Sequence, residues 1–194
     1  SQIILVLSVP IIAIIYSPEA FGFAAYFIAC GSILSALSTG KYDFAIFSPK
    51  DKIKSIQFLF GSIIINVLFT LTISLIVLLI PVLRNDYFYY VLATIALVFL
   101  NGLNLSLTAW FNTNKKYSII SIGRIIKNVF LSLSGIILGL YFSTDPIYLI
   151  LSNVVGMAVF NLFYVVLFIL KYSSSIQYFI LPQIFKLLKE NLDF

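Results

Sequence analysis

The 28 residues from Ile56 to Leu83 include no charged side chain, and this run constrains the fold more than any other feature of the chain. A helix needs about 20 apolar residues to cross the hydrocarbon layer of a membrane. The run is longer than that. We therefore predict a membrane-spanning helix that tilts in the bilayer or bends near Pro81.

Composition extends this prediction to the whole chain. Hydrophobic residues make up 61% of the 194 residues, charged residues make up 10%, and the mean hydropathy is +1.10. Soluble domains are about half apolar and about a quarter charged, so the excess here must face lipid. We predict an all-α integral membrane protein whose residues 1–172 form a six-transmembrane-helix bundle, with helices at about 1–16, 20–40, 56–83, 88–111, 119–142 and 146–170. The first helix is short and the chain opens without Met, so we expect its beginning to be missing.

Lys and Arg alternate between the connections of these six segments. Alternate sides of the predicted bundle hold 11 and 1 of them, Arg84 being the single residue on the poor side. The side rich in Lys and Arg faces the cytoplasm in membrane proteins, which predicts that both chain ends are cytoplasmic. The net charge of +5 is therefore interpreted as membrane topology and not as a sign of nucleic-acid binding.

Helix-start signals mark the joints between segments. Ser17-Pro18-Glu19, Ser48-Pro49-Lys50-Asp51 and Asp145-Pro146 each combine a capping side chain with a first-turn proline. The predicted external connections, 17–19, 84–87 and 143–145, are too short to hold an outer catalytic domain. Residues 173–194 are interpreted as an amphipathic cytoplasmic connector or, alternatively, as a linker to a further segment.

A stripe of polar and small residues runs along the fifth segment. Its members recur three or four residues apart, with Lys127 one turn from the first: Arg124, Asn128, Ser132, Gly135 and Gly139. Charge at membrane depth suggests a cationic path for an anionic substrate. The alternative is that Arg124 and Lys127, within roughly 13 Å of the helix start, extend to the cytoplasmic interface. The two glycines predict close helix packing.

Other polar residues lie in or beside the apolar segments. Lys41 and Asp43 end the second segment, where they either pair at a cavity mouth or stand solvated at the interface. Amides at membrane depth form interhelical hydrogen bonds or line a cavity for a sugar. The amides in question are Asn66, Asn101, Asn104, Asn153 and Asn161.

Residue types that carry catalysis are scarce. The chain has no His and a single cysteine, Cys30, so a disulfide framework is excluded and a His or Cys metal site is not expected. No acid lies clearly at membrane depth, and no Gly-rich phosphate loop or Ser/His/Asp set is present. We expect neither an enzyme nor a cofactor.

Two motifs carry a resemblance to a known family. The residues from Pro10 to Gly22 read PIIAIIYSPEAFG, and those from Thr39 to Ile46 read TGKYDFAI. Together they resemble the opening of the polysaccharide-biosynthesis flippases, the O-antigen and capsule exporters of the multidrug/oligosaccharidyl-lipid/polysaccharide superfamily. In that family, Tyr-Ser/Thr-Pro-Glu-x-Phe-Gly is followed about twenty residues later by Arg-Tyr-Glu/Asp-x-Ala-Ile. Trp110 with Lys115-Lys116-Tyr117 resembles the family's basic turn, and 189–194 resembles its connector before the seventh helix.

This resemblance implies a transporter of two six-helix lobes, of which this chain is the N-terminal one. It implies translocation of an undecaprenyl-pyrophosphate-linked oligosaccharide across the bacterial cytoplasmic (inner) membrane, with a C-terminal lobe and the polysaccharide polymerase machinery as partners. Lys41 stands where the family has Arg. Lysine keeps the positive charge but cannot donate the two parallel hydrogen bonds of a guanidinium group. Asp43 stands at the family's acidic position. Ile14 replaces a family Arg, so a phosphate contact from the first helix is not expected.

Other functions remain open at this point. A drug exporter of the same superfamily would favour an acid inside the first lobe. An integral-membrane polymerase or glycosyltransferase would need a large external loop or a carboxylate at the membrane surface. A non-transporting scaffold or a truncated lobe is compatible with six helices, because one lobe forms only half of a cavity.

Overall fold

The structure, a computed structural model, describes residues 2–47, 52–81 and 87–172. These residues form helices and no strands, which confirms the all-α prediction. The helices are α1 (Gln2–Ile15), α2 (Pro18–Ser38), α3 (Tyr42–Ala45), α4 (Lys52–Leu79), α5 (Phe88–Thr113), α6 (Tyr117–Tyr141) and α7 (Pro146–Tyr172). Five of them, α2, α4, α5, α6 and α7, are long and apolar enough to cross a membrane, whereas α1 is a shorter apolar helix of 14 residues.

Two of the three predicted helix starts lie within the described residues and have the expected chemistry. The Ser17 hydroxyl accepts a hydrogen bond from the Ala20 backbone N–H at 3.2 Å, with Pro18 in the first turn of α2. Asp145 Oδ1 accepts the Ile147 backbone N–H at 2.9 Å at the start of α7. These caps satisfy N–H groups that have no partner inside the helix. The third start, at 48–51, and the predicted connector at 173–194 fall outside the described residues.

The long fourth helix ends where the sequence suggested a bend. α4 runs without interruption from Lys52 to Leu79 and stops two residues before Pro81. Proline disfavours helical geometry in the residue before it and removes a backbone donor, so a helix usually ends ahead of it. The helix predicted at 56–83 is therefore displaced by about one turn toward the N-terminus.

α5 is the central helix and contacts α2, α4 and α7, while α1 packs on α6 and α6 packs on α7. The bundle has two ends, which we name by their charges. The basic end carries Lys41, Lys115 and Lys116, and the acidic end carries Glu19 and Asp145. Each end has its own apolar core: α3 to α7 build the core at the basic end, and α1, α2, α5 and α7 build the core at the acidic end.

The outer surface of the helices is apolar, as expected for a bundle that faces lipid. Ile14 of α1 is 87% exposed and Leu79 of α4 is 80% exposed. In water, such side chains would be driven together, whereas hydrocarbon solvates them.

Glycines on α6 allow the close approach that their spacing predicted. A Cβ at Gly139 would lie 2.6 Å from Ile15 and 2.7 Å from Tyr16, so α1 can pack here only against a residue without a side chain. The Tyr16 hydroxyl donates to the Gly135 carbonyl at 3.1 Å. The Ser8 and Ser132 hydroxyls are hydrogen-bonded at 2.8 Å. These contacts fix α1 parallel to α6, and they confirm close packing at the small-residue pattern.

Candidate functional site

A polar network joins α5 and α7 inside the bundle. The Asn161 side-chain amide donates to the Leu100 carbonyl at 2.8 Å, and the Asn104 amide donates to Asn161 Oδ1 at 3.4 Å. Thr108 donates to Asn104 Oδ1 at 3.4 Å. Asn161 is only 3% exposed, while Asn104 and Thr108 are half-buried. The network therefore extends from the helix interface to an accessible surface.

Two cations lie on α6, the helix that packs against α7. Arg124 is exposed and Lys127 is half-buried, and their spacing of three residues makes them neighbours on the helix surface. A Cβ at Gly123, the residue before Arg124, would lie 3.1 Å from Tyr164 Cε1, so α6 meets α7 beside the Tyr164 ring. Tyr164 follows Asn161 by three residues on α7, and its hydroxyl is buried without a hydrogen-bond partner among the described residues. We call Asn104, Thr108, Arg124, Lys127 and Asn161 the polar face.

Acidic side chains do not neutralise the polar face. Within the described part of the chain the acids are Glu19, Asp43 and Asp145, and none of them forms an ion pair with Arg124 or Lys127. Glu19 and Asp145 lie at the opposite end of the bundle, and Asp43 is engaged elsewhere. The polar face thus combines two positive charges with neutral amides and hydroxyls, which is suited to an anion that also carries hydroxyl groups.

The predicted stripe on α6 divides into two parts. Asn128, Ser132, Gly135 and Gly139 are buried, and from Ser132 onward the stripe packs against α1 and α7. Arg124 alone among the predicted members is exposed. The polar stripe is thus a packing surface over most of its length, and Arg124 is the part that a ligand could reach.

Lys41 and Asp43 have different surroundings. Asp43 is buried, and its Oδ1 accepts the Thr39 hydroxyl at 2.7 Å. Lys41 is exposed and has a left-handed backbone, with φ of 61°, directly after Gly40 with φ of 58°. Sequence reasoning considered only Lys41 as the partner of Asp43 and missed Thr39, although a threonine four residues earlier was visible.

The other predicted amides are spread over the bundle. Asn66 of α4 is fully buried, and its amide donates to the Phe99 carbonyl at 2.9 Å, which ties α4 to α5. Asn153 is half-buried and donates to the Leu149 carbonyl of its own helix at 3.1 Å. It lines a cavity of about 160 Å³ between α1, α2 and α7, together with Ser8 and Ser152. Asn101 is half-buried on α5, three residues before Asn104.

Sequence reasoning missed Thr108, which hydrogen-bonds Asn104, and Tyr164, whose ring lies where α6 packs against α7. Their spacing to Asn104 and Asn161, four and three residues, places each pair on one helix face and was a usable signal. Clusters of His, Cys, Asp or Glu that could hold a metal ion are absent from the described residues.

Comparison with known proteins gave no match: no family model, no curated protein and no solved structure is significantly similar to this chain.

Proposed function

We propose that the chain is one lobe of a flippase that moves a lipid-linked oligosaccharide, carried on a polyprenyl pyrophosphate, across the bacterial cytoplasmic membrane. In this proposal α1 completes a set of six membrane-crossing helices, both chain ends are cytoplasmic, and the basic end faces the cytoplasm. A second, C-terminal lobe provides the other half of the substrate path. The resemblance of the residues around Tyr16 and Lys41 to the polysaccharide flippases motivates the substrate class.

One observation carries the proposal: the polar face has two neighbouring cations, and none of the acids that the structure describes pairs with them. Unpaired charge at membrane depth costs free energy and is usually retained for function. A pyrophosphate would offset that cost through charge-assisted hydrogen bonds, which contribute about 1.5–3 kcal/mol each. In this proposal the half-buried Asn104 and Thr108 bind sugar hydroxyls, while the buried Asn161 holds Asn104 in position.

Movement between the two membrane surfaces follows from alternating access. In transporters built from two repeats, one lobe rocks against the other around a site near the bilayer centre. Lys127 lies ten residues into α6, about 15 Å along the helix, which is half of the hydrocarbon thickness. With the basic end facing the cytoplasm, as proposed, Arg124 would lie between the cytoplasmic surface and the bilayer centre and Lys127 near the centre, on the side from which the pyrophosphate group would enter.

Complementation tests this proposal. A bacterium that lacks its own O-antigen flippase expresses the complete reading frame that contains this chain, and surface polysaccharide is measured with membrane levels checked by blot. We expect Arg124→Ala and Lys127→Ala each to lower export about tenfold or more at normal protein level, because a lost charge-assisted contact of 1.4 kcal/mol or more corresponds to that factor. Lys41→Ala is tested alongside them.

Matched variants separate charge loss from misfolding. Lys171→Ala removes an exposed cation at the end of α7, outside the polar face, and should leave export unchanged. Arg124→Lys keeps the charge and should retain part of the activity. Full export by both Ala variants would remove the polar face from the substrate path. No export by well-inserted wild-type protein would favour the drug-exporter or scaffold alternatives.

A further inference from the structure

A cavity at the acidic end lies between α5 and α7 and plays no part in the proposed substrate path. Its volume is about 570 Å³, within the range typical of small-molecule sites. Both helices begin at this end. We call the part of the cavity lined by their first residues the mouth and the part lined by later residues the depth. The two regions differ in chemistry.

The mouth is aromatic and acidic. Tyr89, Tyr90 and Tyr148 surround it together with Asp145. The Tyr90 hydroxyl donates to Asp145 Oδ1 at 2.7 Å, and the Ile147 backbone N–H donates to the same oxygen at 2.9 Å. These two bonds hold the carboxylate in a fixed orientation at the rim.

The depth of the cavity is apolar. One and two turns into the helices the lining consists of Ala93, Ala96, Leu151 and Val154. The small side chains of the two alanines leave the cavity open, because a larger side chain at either position would fill the space between α5 and α7. The lining is suited to a hydrocarbon chain and offers no partner for a sugar ring in this part of the cavity.

The electrostatic setting of the mouth favours a cation. Among the residues that the structure describes, every Lys and Arg lies in the basic half of the bundle, whereas Glu19 and Asp145 lie here. Faces of aromatic rings attract ammonium groups, and a nearby carboxylate adds a full opposite charge. An anionic ligand would meet repulsion from Asp145.

We propose that this cavity binds an amphiphile with an ammonium head group and a hydrocarbon tail, the head group lying between the three tyrosines and Asp145 and the tail lying along Ala93 and Ala96. Two sources share this chemistry: a bilayer lipid such as phosphatidylethanolamine, and a free cationic amphiphile. The site is independent of the proposed flippase activity, because its residues are separate from the polar face.

Native mass spectrometry of the full chain, released from a non-ionic detergent, tests the site. The protein is titrated with phosphatidylethanolamine, with phosphatidylglycerol of the same chains, and with dodecyltrimethylammonium. We expect one saturable site for at least one of the two ammonium probes and about tenfold weaker binding of phosphatidylglycerol. Binding of the lipid alone identifies the bilayer source, binding of the single-chain probe alone identifies a free amphiphile, and either outcome supports the proposal.

Three variants complete the test. Asp145→Asn keeps the acceptor oxygen for Tyr90 and removes the charge, so it should weaken ammonium binding about tenfold, which equals 1.4 kcal/mol. Ala96→Phe should fill the depth and abolish binding of both tailed probes. Glu19→Gln, which removes the neighbouring acid outside this cavity, should weaken ammonium binding clearly less than Asp145→Asn does. Equal binding of phosphatidylglycerol and phosphatidylethanolamine with no binding of dodecyltrimethylammonium, or full binding by Asp145→Asn, would overturn the proposal.

Discussion

At the scale of single residues, small side chains decide where helices can meet. Gly102 of α5 faces a junction with α2 and α4, where a Cβ would lie 2.2 Å from Asn66 Oδ1 and 2.3 Å from Ser38 Oγ. Asn66 cannot move away freely, because its amide is bound to the Phe99 carbonyl and its backbone carbonyl accepts from Thr70. The absence of a side chain at Gly102 is therefore required for the three helices to pack as they do.

Gly102→Ala should consequently destabilise the protein by about 1–3 kcal/mol, the usual cost of overpacking a filled core. The measurement is thermal unfolding in detergent, followed by fluorescence or circular dichroism. Gly22→Ala is the matched control, since Gly22 is also in a helix and a Cβ there has nothing within 4 Å. It should be neutral or slightly stabilising, because Ala favours helix over Gly. Equal stability of the two variants would contradict the junction described here.

Residue-scale features were only partly predictable from sequence. The caps at Ser17 and Asp145 could be predicted because N-cap chemistry is local and depends on neighbours three residues away or fewer. The bond between Asp43 and Thr39 could not be singled out, since several partners at similar spacing were available. The burial of Asn66 against Gly102 depends on three helices meeting, which no local pattern encodes.

At the scale of helices, α1 is the element with the fewest neighbours, and its position depends on α6. The hydroxyls of Ser8 and Ser132 are 2.8 Å apart, and Gly139 allows α1 to approach about two turns further along. Because the contacts run in the same order on both helices, the pair is parallel. The spacing of small residues in the sequence predicted that one face of α6 packs closely against another helix. That this helix is α1, and that it runs parallel to α6, became known only from the structure.

The register of α1 on α6 can be tested by cross-linking. In a Cys30→Ser background, Ser8→Cys with Ser132→Cys should form a disulfide on mild oxidation, because the two hydroxyl positions are already in contact. Leu7→Cys with Ser132→Cys is the control, since Leu7 is exposed on another side of α1. The yield is read as a shift on non-reducing gels. Comparable cross-linking of both pairs would show that α1 does not hold this register.

At the scale of the whole molecule, hydropathy predicted most of the bundle. Five helices long enough to cross a membrane lie where the apolar runs suggested, because lipid requires every span to satisfy its own backbone hydrogen bonds. The end of α4 was predicted less well, since its apolar run continues past the point where Pro81 stops the helix. The alternation of Lys and Arg between connections predicts how the bundle is oriented in the membrane. It does not predict which charged side chains become neighbours when the helices pack.

The charged and amide residues of the polar face could be identified from the sequence, but their grouping could not. They were visible as polar residues in apolar runs, but their grouping arises from packing among α5, α6 and α7. The chain segments that supply Asn104, Arg124 and Asn161 are separated by 20 and 37 residues. Sequence alone therefore predicted candidates, and the structure separated Arg124 and Lys127 from the buried part of the stripe.

The most direct test of the account is transport in liposomes by the purified protein made from the complete reading frame, so that the proposed C-terminal lobe is included. A fluorescent polyprenyl-pyrophosphate oligosaccharide is placed in both leaflets, and the fraction that a membrane-impermeant reductant can bleach is followed over time. We predict that wild-type protein exposes the inner-leaflet pool to bleaching, whereas the combination of Arg124→Gln with Lys127→Gln does not, although it inserts and unfolds like wild type. Translocation at an equal rate by this charge-neutral variant, or none by correctly inserted wild-type protein, would contradict the account.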